Sequence, residues 1–397
     1  MKLISIASVA IFASTNVQAE IFSPAPVNVT NGFAIIPQLE SSVRYDDNIY
    51  NSEQDALSST IYVIKPSFKF GTDDGINRYG GQYTLESGTY SRNSDDNYVD
   101  HNLAFLAHTE FTNKHRLDFK AGFRNTHEAR GTHLTELNPA GSAEPLKFNT
   151  YLTSAYYQYG SQFAKMRVGA GIAFDTLKYQ NSNAADTTKY SDFSALRLLI
   201  DSDYQIATIT YLTTELNRAD ITYAHKAPTE ASRDNIDTRF LAGLRWEGLA
   251  KTTGRVKVGY QFKKFADSGR EKFSGSNVDF SVAWQPLLRS TFELHLTRAG
   301  EDSDTIGDYV DILGSALSWK HNWTDRIHSN AVVSYSTVDY ASVTREDDVV
   351  NMAVVINYEF TRWLKVTAGY EFTNKNSNVT DISYDKNLAN LGIVIAL

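Results

Sequence analysis

Ala389-Asn390-Leu391-Gly392-Ile393-Val394-Ile395-Ala396-Leu397 is the stretch whose reading decides the fold. The odd positions run Ala, Leu, Ile, Ile, Leu, and the even positions between them are small or polar except Val394. A side-chain period of two gives an extended chain one apolar face and one milder face. Chain ends are more often polar and frayed. An apolar strand placed here is either the last strand of a membrane barrel or the closing strand of a soluble sandwich.

The positions Asn390, Gly392, Ile395 and Leu397 follow the arrangement polar–x–Gly–x–x–apolar–x–apolar. It resembles the C-terminal assembly signal by which bacterial outer-membrane barrels are recognised for insertion. Many such signals end in Phe, and Leu397 departs from that. The other end of the chain agrees. Met1 to Ala19 has a charged start at Lys2, an apolar run from Leu3 to Ala13, and Val17-Gln18-Ala19 before Glu20. This reads as a secretory signal peptide over residues 1–19, with the mature chain starting at Glu20. The run is too short to span a bilayer as a helix.

Beyond Ala19 no stretch is apolar enough for a transmembrane helix. The chain has no Cys, so neither a disulfide framework nor a lipid-anchored Cys is available. A net charge of −8 argues against a nucleic-acid partner. Aromatic residues make up 12% of the chain, led by 23 Tyr and 21 Phe, and Pro is scarce at 8. That composition suits an exported barrel, whose strands carry far fewer apolar residues than a membrane helix.

Period-two segments recur to the end of the chain. Leu117, Phe119, Ala121 and Phe123 form one apolar row, and Phe240, Ala242, Leu244 and Trp246 another. Met352, Val354, Ile356, Tyr358 and Phe360 form a third. Sandwich strands also alternate, so connection lengths carry the distinction. Strands are expected at residues 33–45, 60–71, 76–90, 99–111, 116–125, 149–160, 164–177, 192–203 and 207–218. They continue at 235–247, 254–264, 276–286, 290–299, 309–320, 326–338, 349–360, 363–374 and 384–397. Short connections such as Thr72–Gly75 and Thr361–Arg362 alternate with long ones such as Asp46–Ser59 and Thr126–Phe148.

This is the pattern of an all-β, transmembrane, antiparallel up-and-down β-barrel of about 18 strands with both termini in the periplasm. Within the expected strands 76–90 and 207–218, Ile76–Gly81 and Ala207–Arg218 alternate least clearly, and the count is about 16 without these two strands. The expected organisation is a signal peptide over 1–19, a periplasmic lead-in over 20–32 and an outer-membrane barrel over 33–397. Tyr157, Tyr159, Trp246, Trp284, Trp319, Trp323 and Trp363 lie near strand ends, several beside short turns, as an interfacial girdle requires.

The same alternation assigns charges to the barrel interior. Arg44, Lys69, Arg124, Arg167, Arg197, Arg245, Lys257 and Lys263 are the leading lumen-lining candidates, and Lys120 and Arg239 share their face. Glu86, Asp175, Asp201 and Asp279 point inward as well. The interior is thus mixed with a slight positive surplus. It either favours anionic or polar solutes or simply solvates a wet bore. The acidic loop runs lack a calcium-loop pattern, and no metal site or cofactor is expected. The longest loop, Thr126–Phe148, either folds inward as a constriction or stays at the surface; the surface is the expectation. The nine His are scattered, with no zinc-protease helix motif, nucleophile elbow or phosphate loop. An enzyme is not expected.

Two stretches carry a family resemblance. Pro37-Gln38-Leu39 leads to Tyr45-Asp46-Asp47-Asn48-Ile49-Tyr50 and then Tyr62-Val63-Ile64-Lys65-Pro66-Ser67-Phe68. Later, Trp284-Gln285-Pro286 is followed by Ser290-Thr291-Phe292-Glu293-Leu294 and Arg298. These resemble the putative β-barrel porin 2 family, outer-membrane proteins often associated with capsule or exopolysaccharide export. The resemblance covers essentially the whole mature chain. It implies residence in the outer membrane of a Gram-negative bacterium, among lipid and lipopolysaccharide, after handling by the barrel-assembly machinery. It also implies a polysaccharide cargo and a periplasmic polysaccharide-export protein as partner. A general or solute-selective diffusion porin is the alternative, and a non-conducting structural or adhesive barrel the second. By their residues the two motifs read as structural: Asp and Asn favour the turn where the first strand leaves the membrane. Trp-x-Pro ends a strand at the interface, where Pro removes a ladder donor.

Overall fold

The computed structural model describes residues 21–30, 32–162, 164–180, 185–249 and 251–397. The expected signal peptide and Glu20 lie outside these. A short strand, β1 (Val27–Thr30), leads into β2 (Phe33–Asp46), β3 (Ser59–Asp73), β4 (Arg78–Tyr90), β5 (Tyr98–Thr112) and β6 (His115–Glu128). There follow β7 (Leu146–Tyr159), β8 (Met166–Tyr179), β9 (Phe193–Ala207), β10 (Thr210–Tyr223), β11 (Asn235–Leu249), β12 (Thr252–Phe265) and β13 (Phe273–Leu287). The chain ends with β14 (Ser290–Asp302), β15 (Tyr309–Asn322), β16 (Ile327–Tyr340), β17 (Arg345–Thr361), β18 (Leu364–Ser377) and β19 (Tyr384–Ala396).

From β2 to β19 each strand pairs antiparallel with the next, and β19 pairs back onto β2. The result is a closed barrel of eighteen strands, in which no strand edge is left open. Both stretches of weak alternation are strands. The first starts at Arg78 because Asp74 holds a turn, accepting from the backbone N–H of Ile76 and Asn77 at 2.9 and 2.6 Å. The second, β10, starts at Thr210. The lead-in is more than a tether: β1 forms a hairpin with the start of β2, pairing Val27 with Ile35.

The register keeps one face continuous around the barrel. Arg44 stands opposite Asn390 on one side and Ile61 on the other, in the inward row. Val43 stands opposite Leu391 and Tyr62, in the outward row. The outward rows are apolar and exposed: Leu196, Leu198 and Ile200 on β9; Val258, Tyr260 and Phe262 on β12; Met352, Val354, Ile356, Tyr358 and Phe360 on β17. Water would penalise such a surface, and a lipid belt matches it. On β19, Leu391 and Ile393 are exposed outward and Ile395 is half-buried between Leu39 and Leu364; Leu397, just past the strand, is exposed too. No described helix is long and apolar enough to cross a membrane.

The girdle aromatics sit outward near the short-turn rim, which also carries Phe22 and Leu397. Trp284, Phe292 and Trp319 stack across three strands, with centroids 5.6 and 6.0 Å apart. Trp323 closes the row edge-on to Trp319 at 5.9 Å. Offset and edge-on aromatic pairs of this spacing are attractive beyond the area they cover.

Candidate functional site

The eight lumen-lining candidates share the inward face, and most are neutralised there. Arg44 reaches Glu86 at 3.1 Å, and the neighbouring Lys65 reaches the same carboxylate at 2.9 Å. Arg167 and Arg245 share Asp203, at 3.2 and 2.9 Å. Arg197 pairs with Asp175 at 2.6 Å, and Lys257 contacts Glu215. Lys263 is buried against Asp302 at 2.7 Å and Asp237 at 3.5 Å. Lys69 and Arg124 have no such partner. Alternation along a strand identifies an inward charge; whether that charge is cancelled depends on the neighbouring strands, which the local pattern does not encode.

The connection between β6 and β7 folds into the bore, contrary to the surface position expected from sequence. It starts at Arg130, whose guanidinium clasps both oxygens of Asp96 at 2.7 Å and donates to the Tyr50 hydroxyl at 2.5 Å. Gly131 follows with φ +81°, so close to Tyr50 that a Cβ would stand 1.8 Å from its carbonyl oxygen. Only Gly tolerates that approach in that conformation. Next, His133 reaches Asp304 in the β14–β15 connection at 3.5 Å. The backbone N–H of Leu134 donates to Glu128 at 3.0 Å.

Glu136 then lies against the far wall. Its carboxylate takes Arg345 of β17 at 2.9 Å and contacts Lys375 of β18. Both cations also hold Asp347, at 2.5 and 3.2 Å. Two cations thus meet two carboxylates, and Arg345 and Asp347 have only 1% and 2% of their side chains exposed. Charges this deeply buried persist only when matched and hydrogen-bonded. Asp347 alone leaves the pair of cations one negative charge short; Glu136 supplies it. With the Arg130–Asp96 and His133–Asp304 contacts, this match holds the loop inward.

The loop stands between two cavities. One, of about 750 Å³, is lined by β9–β11 and β14–β19. The other, of about 1170 Å³, is lined by β2–β9. Thr132, His133 and Phe193 border both. Burial works against a charged His133, but the hydrogen bond to Asp304 and the charges of Glu128, Asp304 and Glu136 outweigh it. The imidazole therefore holds its proton above the ordinary histidine range.

The Tyr45-Asp46-Asp47-Asn48 motif does more than turn the chain: it fastens the seam between first and last strands. The ladder there runs only over Leu388–Ala396 against Gln38–Asp46. Beyond it, Asp47 accepts the backbone N–H and the side-chain amide of Asn387, each at 2.7 Å. Asn48, 2% exposed, donates to the carbonyls of Asp385 and Ser52 at 2.9 and 2.8 Å. Lys386 pairs with Asp46 at 2.9 Å. At the opposite rim the backbone N–H of Phe22 donates to Glu359 at 2.7 Å, and the Lys365 ammonium lies 4.8 Å from the Phe22 ring centre. The lead-in thus reaches from the β1 hairpin to β17 and β18 at the mouth of the bore.

A closed eighteen-stranded barrel with an apolar belt and a charged, loop-filled bore has the build of a porin. Residues 26–397 match the family Putative beta-barrel porin 2. The chain belongs to that family. As a member of Putative beta-barrel porin 2 it is a porin-like barrel of the outer-membrane kind, and both motifs quoted above lie within the matched range. No curated protein sequence matches the chain.

Among solved structures it is similar to Pseudomonas aeruginosa OpdQ, with 10% identity and a TM-score of 0.49 over 92% of this chain and 98% of that one. It is also similar to the FrpB iron transporter of Neisseria meningitidis (F3-3 variant), with 11% identity and a TM-score of 0.46 over 86% of this chain. The chain spans 62% of the length of that transporter.

Proposed function

We propose that this protein is the outer-membrane passage for a cell-surface polysaccharide, held shut at rest by the β6–β7 loop and without chemistry of its own. The observation that carries the reading is that loop. It enters a bore of eighteen strands and docks on the far wall through Glu136, Arg345 and Lys375. A wide cylinder with a fitted stopper suits a bulky cargo passed on demand better than steady diffusion of small solutes. The short-turn rim, with both termini and the girdle, faces the periplasm in this reading, where a polysaccharide-export protein would meet the mouth crossed by Phe22. Clean deletion of the gene tests it: surface and secreted polysaccharide should fall sharply, and normal levels of both would overturn it. Steady open conductance of the reconstituted wild-type protein would favour the diffusion-porin alternative.

A further inference from the structure

Most cations facing the bore have a carboxylate against them; of the others, Arg116 is held by Gln158 and the Gly160 carbonyl, and Lys365 lies against the Phe22 ring. Among the described strand residues that face the bore, Lys69 on β3 and Lys120 and Arg124 on β6 make no ion pair, hydrogen bond or ring contact. All three are exposed and all three border the 1170 Å³ cavity. The wall between them is cut back. Lys69 stands opposite Gln82, Gln82 opposite Ala104, and Ala104 opposite Gly122. Gly122 sits midway between Lys120 and Arg124, and with Ala104 it leaves a low floor between the three long side chains.

The carboxylates of the same cavity are engaged elsewhere. Asp73 is held by Arg78 at 2.8 Å and Asp175 by Arg197 at 2.6 Å. Glu128 accepts the Tyr179 hydroxyl at 2.8 Å and the backbone N–H of Leu134. The cavity therefore presents three free positive charges.

We propose that this part of the bore is a binding station for an extended polyanion, a saccharide chain bearing carboxylates. Spacing favours an extended ligand over a compact one. Lys120 and Arg124 lie about 13 Å apart along one strand, and Lys69 stands three strands away, about 14 Å across the sheet. One small anion meets at most two such groups; a chain with a charge on successive sugars meets all three. The lining also reaches Asp73 and Arg78 at the short-turn rim, so a chain entering from that mouth arrives first at this station. The saccharide identity rests on the export reading; the polyanion station does not.

The test uses the full-length protein in detergent and a fluorescent tri-galacturonate as probe. Maltotriose, galacturonate monomer and inorganic phosphate are the competitors. Tri-galacturonate should bind, more weakly as salt rises, and each competitor should bind at least tenfold more weakly. The combined variant Lys69→Gln, Lys120→Gln, Arg124→Gln should weaken tri-galacturonate at least tenfold. Lys320→Gln, at a cation already paired with Glu293 at 3.0 Å, should not. Equal binding by wild type and the combined variant, or no binding by wild type, would overturn the station. Equal binding of maltotriose would remove the charge argument, and equal binding of phosphate or monomer would remove the extended ligand. The competition series on unaltered protein stands even where the combined variant fails to assemble. Because binding is read on purified protein and export in cells, either reading can fail while the other survives.

Discussion

Glu136→Ala should loosen the loop without dismantling the barrel. Glu136, Arg345 and Lys375 have 13%, 1% and 11% of their side chains exposed. Removing one partner from a buried ion pair costs about 3–5 kcal/mol when the other charge is stranded. Here Asp347 stays within 2.5 Å of Arg345 and 3.2 Å of Lys375, so neither cation is left alone. The loss is then nearer to that of the charge-assisted hydrogen bonds themselves, about 2 kcal/mol after rearrangement. At 1.4 kcal/mol per factor of ten, that raises the population of the undocked loop about 30-fold. The assay is single-channel recording on reconstituted protein, paired with amide hydrogen exchange over residues 131–137. Openings should become roughly 30-fold more frequent and exchange in the loop correspondingly faster. Glu144→Ala is the control, since Glu144 is 56% exposed and pairs only with Lys147 at 3.5 Å. If Glu136→Ala matches the control and wild type in both measurements, the Glu136 clasp is not what holds the loop.

Three further outcomes follow from the same geometry. Because docking raises the His133 pKa, its contribution is complete below about 6.5 and is lost as pH rises through the higher docked value. Openings should therefore increase from pH 6 to pH 9, and His133→Gln should flatten that dependence. Asn48→Ala removes three hydrogen bonds at the seam, to Ser52 twice and to Asp385, and should cost about 2–4 kcal/mol. It should lower the temperature at which the barrel loses its compact band on a gel, and an unchanged transition would show that the seam does not depend on it. Removing Ile395–Leu397 deletes the end of the closing ladder and the Leu397 N–H bond to Pro37 at 3.3 Å. Heat-modifiable, membrane-inserted protein should then disappear.

The wall of the barrel was legible in the sequence because inside and outside alternate residue by residue, and that information is local. Even its weak points have local causes. In β10, Tyr211 breaks the apolar row because it faces inward between the guanidiniums of Arg167 and Arg245, 5.1 and 4.2 Å from its ring centre. The contents of the bore were not legible. Glu136 meets partners 209 and 239 residues away, and nothing near it in the chain marks the contact. The Asp46-Asp47-Asn48 turn was visible as a turn, but its hold on Asp385–Asn387 exists only once the cylinder closes. Lys69, Lys120 and Arg124 looked like the other inward cations until the neighbouring strands revealed which charges are cancelled.

The central claim, that a polysaccharide crosses the outer membrane through this bore, is tested most directly by following a pulse of labelled sugar in cells lacking the gene. Polymer made during the pulse should accumulate in the periplasm and fail to reach the surface, and wild-type protein should restore its passage. Labelled polymer reaching the surface of the deleted strain at the normal rate would contradict the account.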